Sequence, residues 1–106
     1  MSFRRVFLPE AVEELLEAAE WYESRRPGLG AEFLGAVEAA ADAVASSPLA
    51  AAAWPGSARF RRRVMGNFPY LLIYEVRAGV IEFVATAHGR REPGYWLGRT
   101  RTDEPR

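Results

Sequence analysis

The sequence predicts an α+β fold, in which a small antiparallel β-sheet carries an N-terminal helical hairpin packed on one face. Two observations lead to this prediction. Apolar residues recur every three or four positions in the first half of the chain, and they alternate with polar residues in much of the second half. The chain has 106 residues, of which 49% are apolar, and this length and composition are enough to form one hydrophobic core. We therefore expect a single domain over residues 1–106 with the element order β-α-α-β-β-β.

The first strand and the first helix are predicted next to each other. Residues 3–8 form a short apolar and basic segment that Pro9 ends, and proline suits the first turn of a helix. The helix should end near Arg25, because Pro27 and Gly28 follow. Its apolar face consists of Val12, Leu15, Leu16, Ala19 and Tyr22. The glutamates of this segment are spread over its other faces, which is typical of a solvated surface.

A second helix is predicted over residues 29–47, and Pro48 prevents its continuation. Its apolar stripe consists of Phe33, Val37, Ala40 and Val44. Because only a few residues connect the two helices, they should form an antiparallel hairpin.

Three strands are predicted after a loop over residues 49–57. They span 59–64, 70–76 and 80–88, and residues 77–79 form a tight turn between the last two. Strands joined by short turns pair antiparallel, and two helices cover only one face of such a sheet. We expect the other face to be partly open, with Leu71, Ile73, Glu75, Arg77, Glu82, Thr86 and His88 towards solvent. The core should receive Ala85 and Ala87 together with Ile81 and Phe83. The polar tail, residues 99–106, is expected to fray.

The composition excludes several kinds of site. Without cysteine the chain has no disulfide framework, no thiolate zinc site and no thiol nucleophile. A single histidine, His88, argues against a histidine-based metal site, and we expect no metal and no cofactor. No apolar run reaches the roughly 18 residues of a membrane span, and no signal peptide is visible. We therefore expect a soluble, cytoplasmic protein without a membrane partner.

The formal net charge of zero conceals an asymmetry between the two halves. Residues 1–53 contain nine acidic residues and four arginines, a net charge of −5. Residues 54–106 contain five acidic residues and ten arginines, a net charge of +5. Partners meet surface patches rather than totals, so a nucleic-acid partner is not excluded.

The densest basic feature is the arginine cluster Arg59, Arg61, Arg62 and Arg63. Residues two apart on a strand lie about 6.6 Å apart on one face, which roughly matches successive phosphates. Arginine also binds phosphate through two hydrogen bonds. The cluster therefore predicts nucleic-acid binding, with Arg90 as a further contact. The alternative is a solvated edge strand that its charges protect from aggregation.

A second candidate site surrounds His88, at the end of the last strand. A histidine there can act as a general acid or base, and Arg90 and Arg91 can stabilise negative charge on a phosphate. Tyr95 or Trp96 can stack on a base. The alternative is a histidine held in a hydrogen-bonded turn, with Tyr95 and Trp96 anchoring the C-terminal segment to the core.

Taken together, short motifs over residues 3–99 resemble the RelE/ParE superfamily of toxins from bacterial type II toxin–antitoxin systems. The motifs are Glu20 to Glu23 (EWYE), Pro27 to Gly30 (PGLG), Glu32 to Leu34 (EFL), Arg62 and Arg63, Phe68 to Tyr70 (FPY), Ile73 and Tyr74, Ala87 and His88, Arg90 and Arg91, and Pro93 to Trp96 (PGYW). The fold of this family is a small antiparallel sheet with a helical hairpin, as predicted above.

The resemblance implies growth inhibition by one of two routes. RelE-like members bind the ribosomal A site and cut mRNA without a metal, through attack of the ribose 2′-hydroxyl on the adjacent phosphate. ParE-like members inhibit DNA gyrase and need no nuclease site. For the first route, which we take as the leading expectation, the implied catalytic residues are His88, Arg91 and Tyr95, beside the basic strand. Where many RelE-like nucleases have arginine after the tyrosine of the third strand, this chain has Leu71. A third possibility is a non-toxic binding module of the same fold.

The resemblance also implies a cognate antitoxin as partner. In this family the C-terminal segment of the antitoxin wraps the toxin and lays a helix or strand across its apolar grooves and basic face. We expect Leu71 and Ile73 on the open sheet face to suit such a contact, and an acidic antitoxin segment to mask residues 59–63. Contact with operator DNA is expected only through the antitoxin.

Overall fold

A computed structural model, which describes residues 3–99, has the predicted α+β architecture and element order. The elements are β1 (Arg4–Phe7), α1 (Pro9–Arg25), α2 (Leu29–Ser46), β2 (Arg61–Val64), β3 (Tyr70–Arg77) and β4 (Val80–His88). Neither helix within the described range is long and apolar enough to cross a membrane. Most of the expected tail, residues 100–106, lies outside the described part of the chain.

The sheet has four strands in the order β1-β4-β3-β2. The pairs β2–β3 and β3–β4 are antiparallel, as the short connections predict. β1 pairs with β4 in parallel, so the sheet is mixed. A parallel pair needs a long crossover connection, and here the helical hairpin and the next two strands lie between the partners. Both sheet edges, β1 and β2, are basic strands.

The two helices approach each other closely at one glycine. An added Cβ at Gly30 would lie 2.7 Å from the Ala19 carbonyl oxygen and 3.0 Å from Glu23 Oε1. The backbone N–H groups of Gly28 and Gly30 both donate to the Glu23 carboxylate, which lowers the pKa of Glu23. Glu23 therefore satisfies N–H groups at the start of α2 that have no partner within the helix.

Two glycines of α2 should respond oppositely to alanine. Gly30→Ala should destabilise the fold by about 1–3 kcal/mol, because its Cβ overlaps the backbone of α1. Gly35→Ala is the matched control, since open space surrounds a Cβ there. It should stabilise the fold by about 0.5–1 kcal/mol through helix propensity. Urea unfolding of both variants measures the two effects, and a destabilising effect of equal size at both positions would contradict the close packing.

The main core lies between the hairpin and the sheet. Its buried residues include Phe33 from α2, Leu72 and Tyr74 from β3, and Phe83 from β4. Phe7 stacks on Phe83, with ring centroids 4.4 Å apart. The Tyr74 hydroxyl donates to the Pro48 carbonyl at 2.6 Å, so it is hydrogen-bonded although its ring is buried. This core holds the sheet against the acidic hairpin.

The opposite sheet face is covered, which corrects the expectation of a partly open face. A second cluster of buried residues lies there, comprising Leu8, Phe60, Ile73, Val84, Ala85, Ala87 and Trp96. Trp96 is 1% exposed, and its ring meets Trp54 and Phe60 at centroid distances of 5.0 and 4.8 Å. Leu71 is half-buried against this cluster and Ile73 is fully buried. Neither residue is therefore available as the exposed antitoxin contact expected from the sequence.

A β-bulge explains why the face assignment fails along β4. Ile73 pairs with Ala85, whereas its neighbour Tyr74 pairs with Phe83, so Val84 is an extra residue. An extra residue reverses the alternation of side chains beyond it. Ile81 and Phe83, before the bulge, lie in the main core as predicted, whereas Ala85 and Ala87 belong to the second cluster. Thr86 faces α1, where its hydroxyl donates to the Ala11 carbonyl.

Candidate functional site

The arginines of the basic cluster do not form one continuous row. Arg59 lies before β2, where its Nε donates to Glu75 at 2.8 Å and its guanidinium lies over the Phe60 ring. The Arg61 guanidinium donates to the carbonyls of Leu49 and Ala51. These two side chains are therefore held by contacts within the chain.

The other two arginines of the cluster lie in different surroundings. Arg62 lies over the Trp54 ring, with 5.9 Å between the guanidinium carbon and the centroid. Arg63 is exposed and lines a groove of about 260 Å³ between α2 and the edge strand, together with Val64 and the alanines of α2. The sequence groups these arginines into one cluster, whereas among them only Arg63 is exposed without a ring or hydrogen-bond partner within the described residues.

Three residues from distant parts of the chain meet at Glu14, and we call the four together the Glu14 cluster: Glu14, Thr86, Tyr95 and Arg99. Oε1 of Glu14 accepts from the Thr86 backbone N–H at 2.9 Å and from Arg99 at 3.0 Å. Oε2 accepts from the Tyr95 hydroxyl at 2.6 Å and from Arg99 at 2.7 Å. Arg99 also donates to the Val84 carbonyl. These bonds tie the C-terminal turn to α1 and β4.

The cluster changes the proton affinities of its members. Burial raises the pKa of Glu14, but the hydrogen bonds from Arg99, Tyr95 and Thr86 and the charge of Arg99 outweigh it, so the pKa of Glu14 is lowered. Burial, together with the hydrogen bond to Glu14 and its negative charge, raises the pKa of Tyr95 well above its ordinary value. The cluster thus holds an ionised carboxylate against a protonated phenol.

The lowered pKa of Glu14 predicts acid sensitivity. A carboxylate whose pKa is depressed on folding stabilises the fold above its unfolded value of 4.5 and loses this contribution as the pH falls through the folded value. The free energy of unfolding should therefore decline as the pH falls to the unfolded value of 4.5 and on through the lower folded value. In Glu14→Gln this decline should be shallower, because position 14 no longer titrates. Urea unfolding across this pH range measures it, and identical slopes in both proteins would contradict the assignment.

His88 and Arg91 share a second groove, which we call the α1–β4 groove. It has a volume of about 280 Å³ and lies between one stripe of α1 and the ends of β3 and β4. Its lining residues are Glu14, Glu17, Ala18 and Trp21 on the α1 side and Tyr70, Thr86, His88 and Arg91 on the strand side. The His88 and Tyr70 rings are 5.0 Å apart. Arg63 is absent from this groove, because it lies in the groove beside α2.

The three implied catalytic residues lie near each other, but their polar groups do not all point to one place. The Arg91 guanidinium lies 3.9 Å from the centre of the Tyr95 ring. The Tyr95 hydroxyl is bonded to Glu14 rather than directed at His88. His88 Nδ1 accepts the Arg90 backbone N–H at 3.0 Å, and Arg90 itself is exposed. Within residues 3–99 no group of three His, Asp or Glu side chains is arranged to hold a metal ion.

Three residues of this region escaped sequence analysis. Glu14 looked like one of several solvated glutamates, and Arg99 like the start of a tail, because their contact spans 85 positions of sequence. Trp21 appeared only as part of a motif, although it is 53% exposed beside the groove. The only signal was the spacing of Glu14 and Trp21, which places them on the same face of a helix. This spacing does not identify their partners.

Comparisons with known proteins identify the family from the sequence and support the fold from a solved structure. The family model described as "ParE toxin of type II toxin-antitoxin system, parDE" matches residues 6–93. A solved structure described as the chromosomal ParDE TA system from P. aeruginosa superposes with a TM-score of 0.62 at 13% identity, covering 82% of this chain and 96% of that chain. No curated protein sequence matches. The structural likeness supports the fold, and the family model spans most of the chain. The chain belongs to the ParE toxin family of type II toxin–antitoxin systems, within the RelE/ParE superfamily.

Proposed function

We propose that this toxin inhibits growth by binding DNA gyrase, without nuclease chemistry. One observation carries the proposal: the Tyr95 hydroxyl donates to Glu14 Oε2 at 2.6 Å inside the Glu14 cluster. Burial and Glu14 raise the pKa of this phenol, so it keeps its proton near neutral pH, and it donates that proton to a carboxylate rather than to a substrate group. The tyrosine that a nuclease would use for proton transfer has a structural role here.

The charges of the basic strand support the same proposal. An mRNA nuclease needs several cations around one phosphate to stabilise its developing charge. Here Arg59 is paired with Glu75, Arg61 is bonded to carbonyl groups, and Arg63 lies in a different groove from His88. Leu71, at a position that is often arginine in the nucleases, packs half-buried against the second cluster and adds no charge. This arrangement suits a binding protein better than a phosphodiesterase.

Ribosome-dependent mRNA cleavage is the second candidate, and one observation favours it. His88 and Arg91 line the same groove, so a general base and a phosphate-binding cation lie side by side. In this alternative Arg59, Arg61, Arg62, Arg63 and Arg90 guide the RNA, and Tyr95 leaves Glu14 when the RNA binds. The resulting enzyme would be a metal-independent endoribonuclease.

Family membership supports a cognate antitoxin as partner in either case. We propose that it covers the groove beside α2, where exposed Arg63 and Val64 adjoin a row of small alanine side chains. Arg63 there can pair with an acidic residue of the antitoxin, and the alanines allow close approach of a helix. Operator DNA then meets this protein only through the antitoxin.

Induced expression with two readouts separates the two candidates. We expect trapped gyrase–DNA cleavage complexes to accumulate, and mRNA 5′ ends to stay unchanged. Tyr95→Phe keeps the ring beneath Arg91 and removes only the hydroxyl, so its growth inhibition should persist. New mRNA ends within translated codons, lost in His88→Ala and in Tyr95→Phe, would instead establish the nuclease.

A further inference from the structure

The strand side of the α1–β4 groove presents hydrogen-bond donors fixed in position. The Arg91 guanidinium stacks on the Tyr95 ring, and this contact uses its flat face and leaves its N–H edges free. His88 Nδ1 accepts the Arg90 N–H, so in a neutral imidazole the proton is assigned to Nε2. Within the described residues no hydrogen-bond acceptor engages the Arg91 side chain. Both groups therefore favour an acceptor, such as a carboxylate, as ligand.

The α1 side of the groove presents an exposed aromatic ring. Trp21 is 53% exposed, and it is the single aromatic among the well-exposed large hydrophobic residues of the described chain. Arg25 lies 4.4 Å from its ring centre and the Tyr22 ring meets it edge-on, so its orientation is held. A tryptophan fixed beside a cleft, next to an arginine, is the usual composition of a protein–protein hot spot.

The charges around the groove favour a protein segment over a nucleic acid. Glu14, which Arg99 neutralises, and Glu17 line the groove from α1, and exposed Glu10, Glu13 and Glu20 lie elsewhere on the same helix. A polynucleotide carries a phosphate at every position and would be repelled by this helix. A peptide can place one acidic side chain against Arg91 and keep neutral residues beside Glu17.

We propose that the α1–β4 groove is the docking site for the toxin's target protein. It takes a segment in which an acidic side chain adjoins an apolar one. The carboxylate accepts from Arg91 and His88, and the apolar side chain packs on Trp21. A groove of about 280 Å³ has room for these two side chains, whereas an antitoxin that wraps the toxin needs a longer surface. The assignment rests on the proposed function, with gyrase as the target.

Matched variants of the full chain test the proposal. Trp21→Ala and Arg91→Ala remove the two anchors, and both residues are exposed, so the fold should tolerate the changes. Leu49→Ala and Arg4→Ala are controls of matched character, since both are exposed and lie outside the groove. Surface plasmon resonance with immobilised gyrase measures affinity, and a parallel channel with the antitoxin checks each variant.

Trp21→Ala and Arg91→Ala should each weaken gyrase binding by about tenfold or more, while both controls stay within about twofold of the wild type. Binding of the antitoxin should be unchanged in all four. If Trp21→Ala and Arg91→Ala both bind gyrase with wild-type affinity, the docking site is overturned and the proposed function is not. Loss of antitoxin binding with gyrase binding retained would assign the groove to the antitoxin instead. A wild-type protein that does not bind gyrase would overturn the proposed function itself.

Discussion

Glu14→Ala should reduce the free energy of unfolding by about 3–5 kcal/mol, the usual cost of removing one partner from a buried ion pair. The side chains of Glu14 and Arg99 are only 14% and 16% exposed, so the variant leaves a largely buried guanidinium without its carboxylate. The Tyr95 hydroxyl and the Thr86 backbone N–H lose their acceptor as well. A domain of this size has about 5–15 kcal/mol of total stability, so the loss is severe.

The neighbouring glutamate supplies the control. Glu13 lies on the same helix, is exposed and has no ion-pair partner among the described residues, so Glu13→Ala should change stability by less than about 0.5 kcal/mol. Urea unfolding followed by circular dichroism measures both variants. Equal stability of Glu14→Ala and Glu13→Ala would contradict the structural role of the Glu14 cluster.

Trp96→Ala should cost about 3–5 kcal/mol, as expected for a large aromatic side chain removed from a core. Trp96 is the largest fully buried side chain of the described chain, and its ring fills the space between Trp54 and Phe60. Its loss uncovers Ile73 and Ala85 on the second sheet face. The variant should therefore bind a hydrophobic dye that the wild type does not bind.

Leu97 provides the matched comparison for this variant. It adjoins Trp96 in sequence and is 50% exposed, so Leu97→Ala should leave both stability and dye binding nearly unchanged. Unfolding by urea and titration with the dye give the two measurements. A loss below about 1 kcal/mol in Trp96→Ala would mean that the C-terminal turn is not part of the core.

Local patterns predicted the elements of this fold, but long-range contacts decided what covers the sheet. The helical stripe through Val37 and Val44 and the alternation around Leu72 are local, so they located α2 and β3 correctly. The bulge at Val84 has no local signal and reversed the faces beyond it. Trp96, in the C-terminal turn, covers the second face of the sheet. Its segment has no periodic apolar pattern that could have indicated this.

The candidate site was predictable only in part, for a similar reason. His88 and Arg91 are close in sequence, and they share a groove as the sequence suggested. The spacing of two that Arg59, Arg61 and Arg63 share did not predict their surroundings. Arg59 contacts a carboxylate, Arg61 contacts carbonyl groups and Arg63 lies beside a helix, and all of these belong to other parts of the chain. For Tyr95 the sequence left open a base-stacking ring or an anchor to the core, and its partner Glu14, 81 residues away, gives no sign of the contact.

A purified gyrase reaction tests the central claim, that this toxin acts by binding and not by cutting RNA. Supercoiled plasmid, gyrase, ATP and increasing toxin are incubated, and linear DNA is measured after denaturing the enzyme. We predict that linear DNA rises with toxin, equally for the wild type and for Tyr95→Phe. No linear DNA at any toxin concentration, together with codon-specific mRNA cleavage by the same preparation on translating ribosomes, would contradict the account.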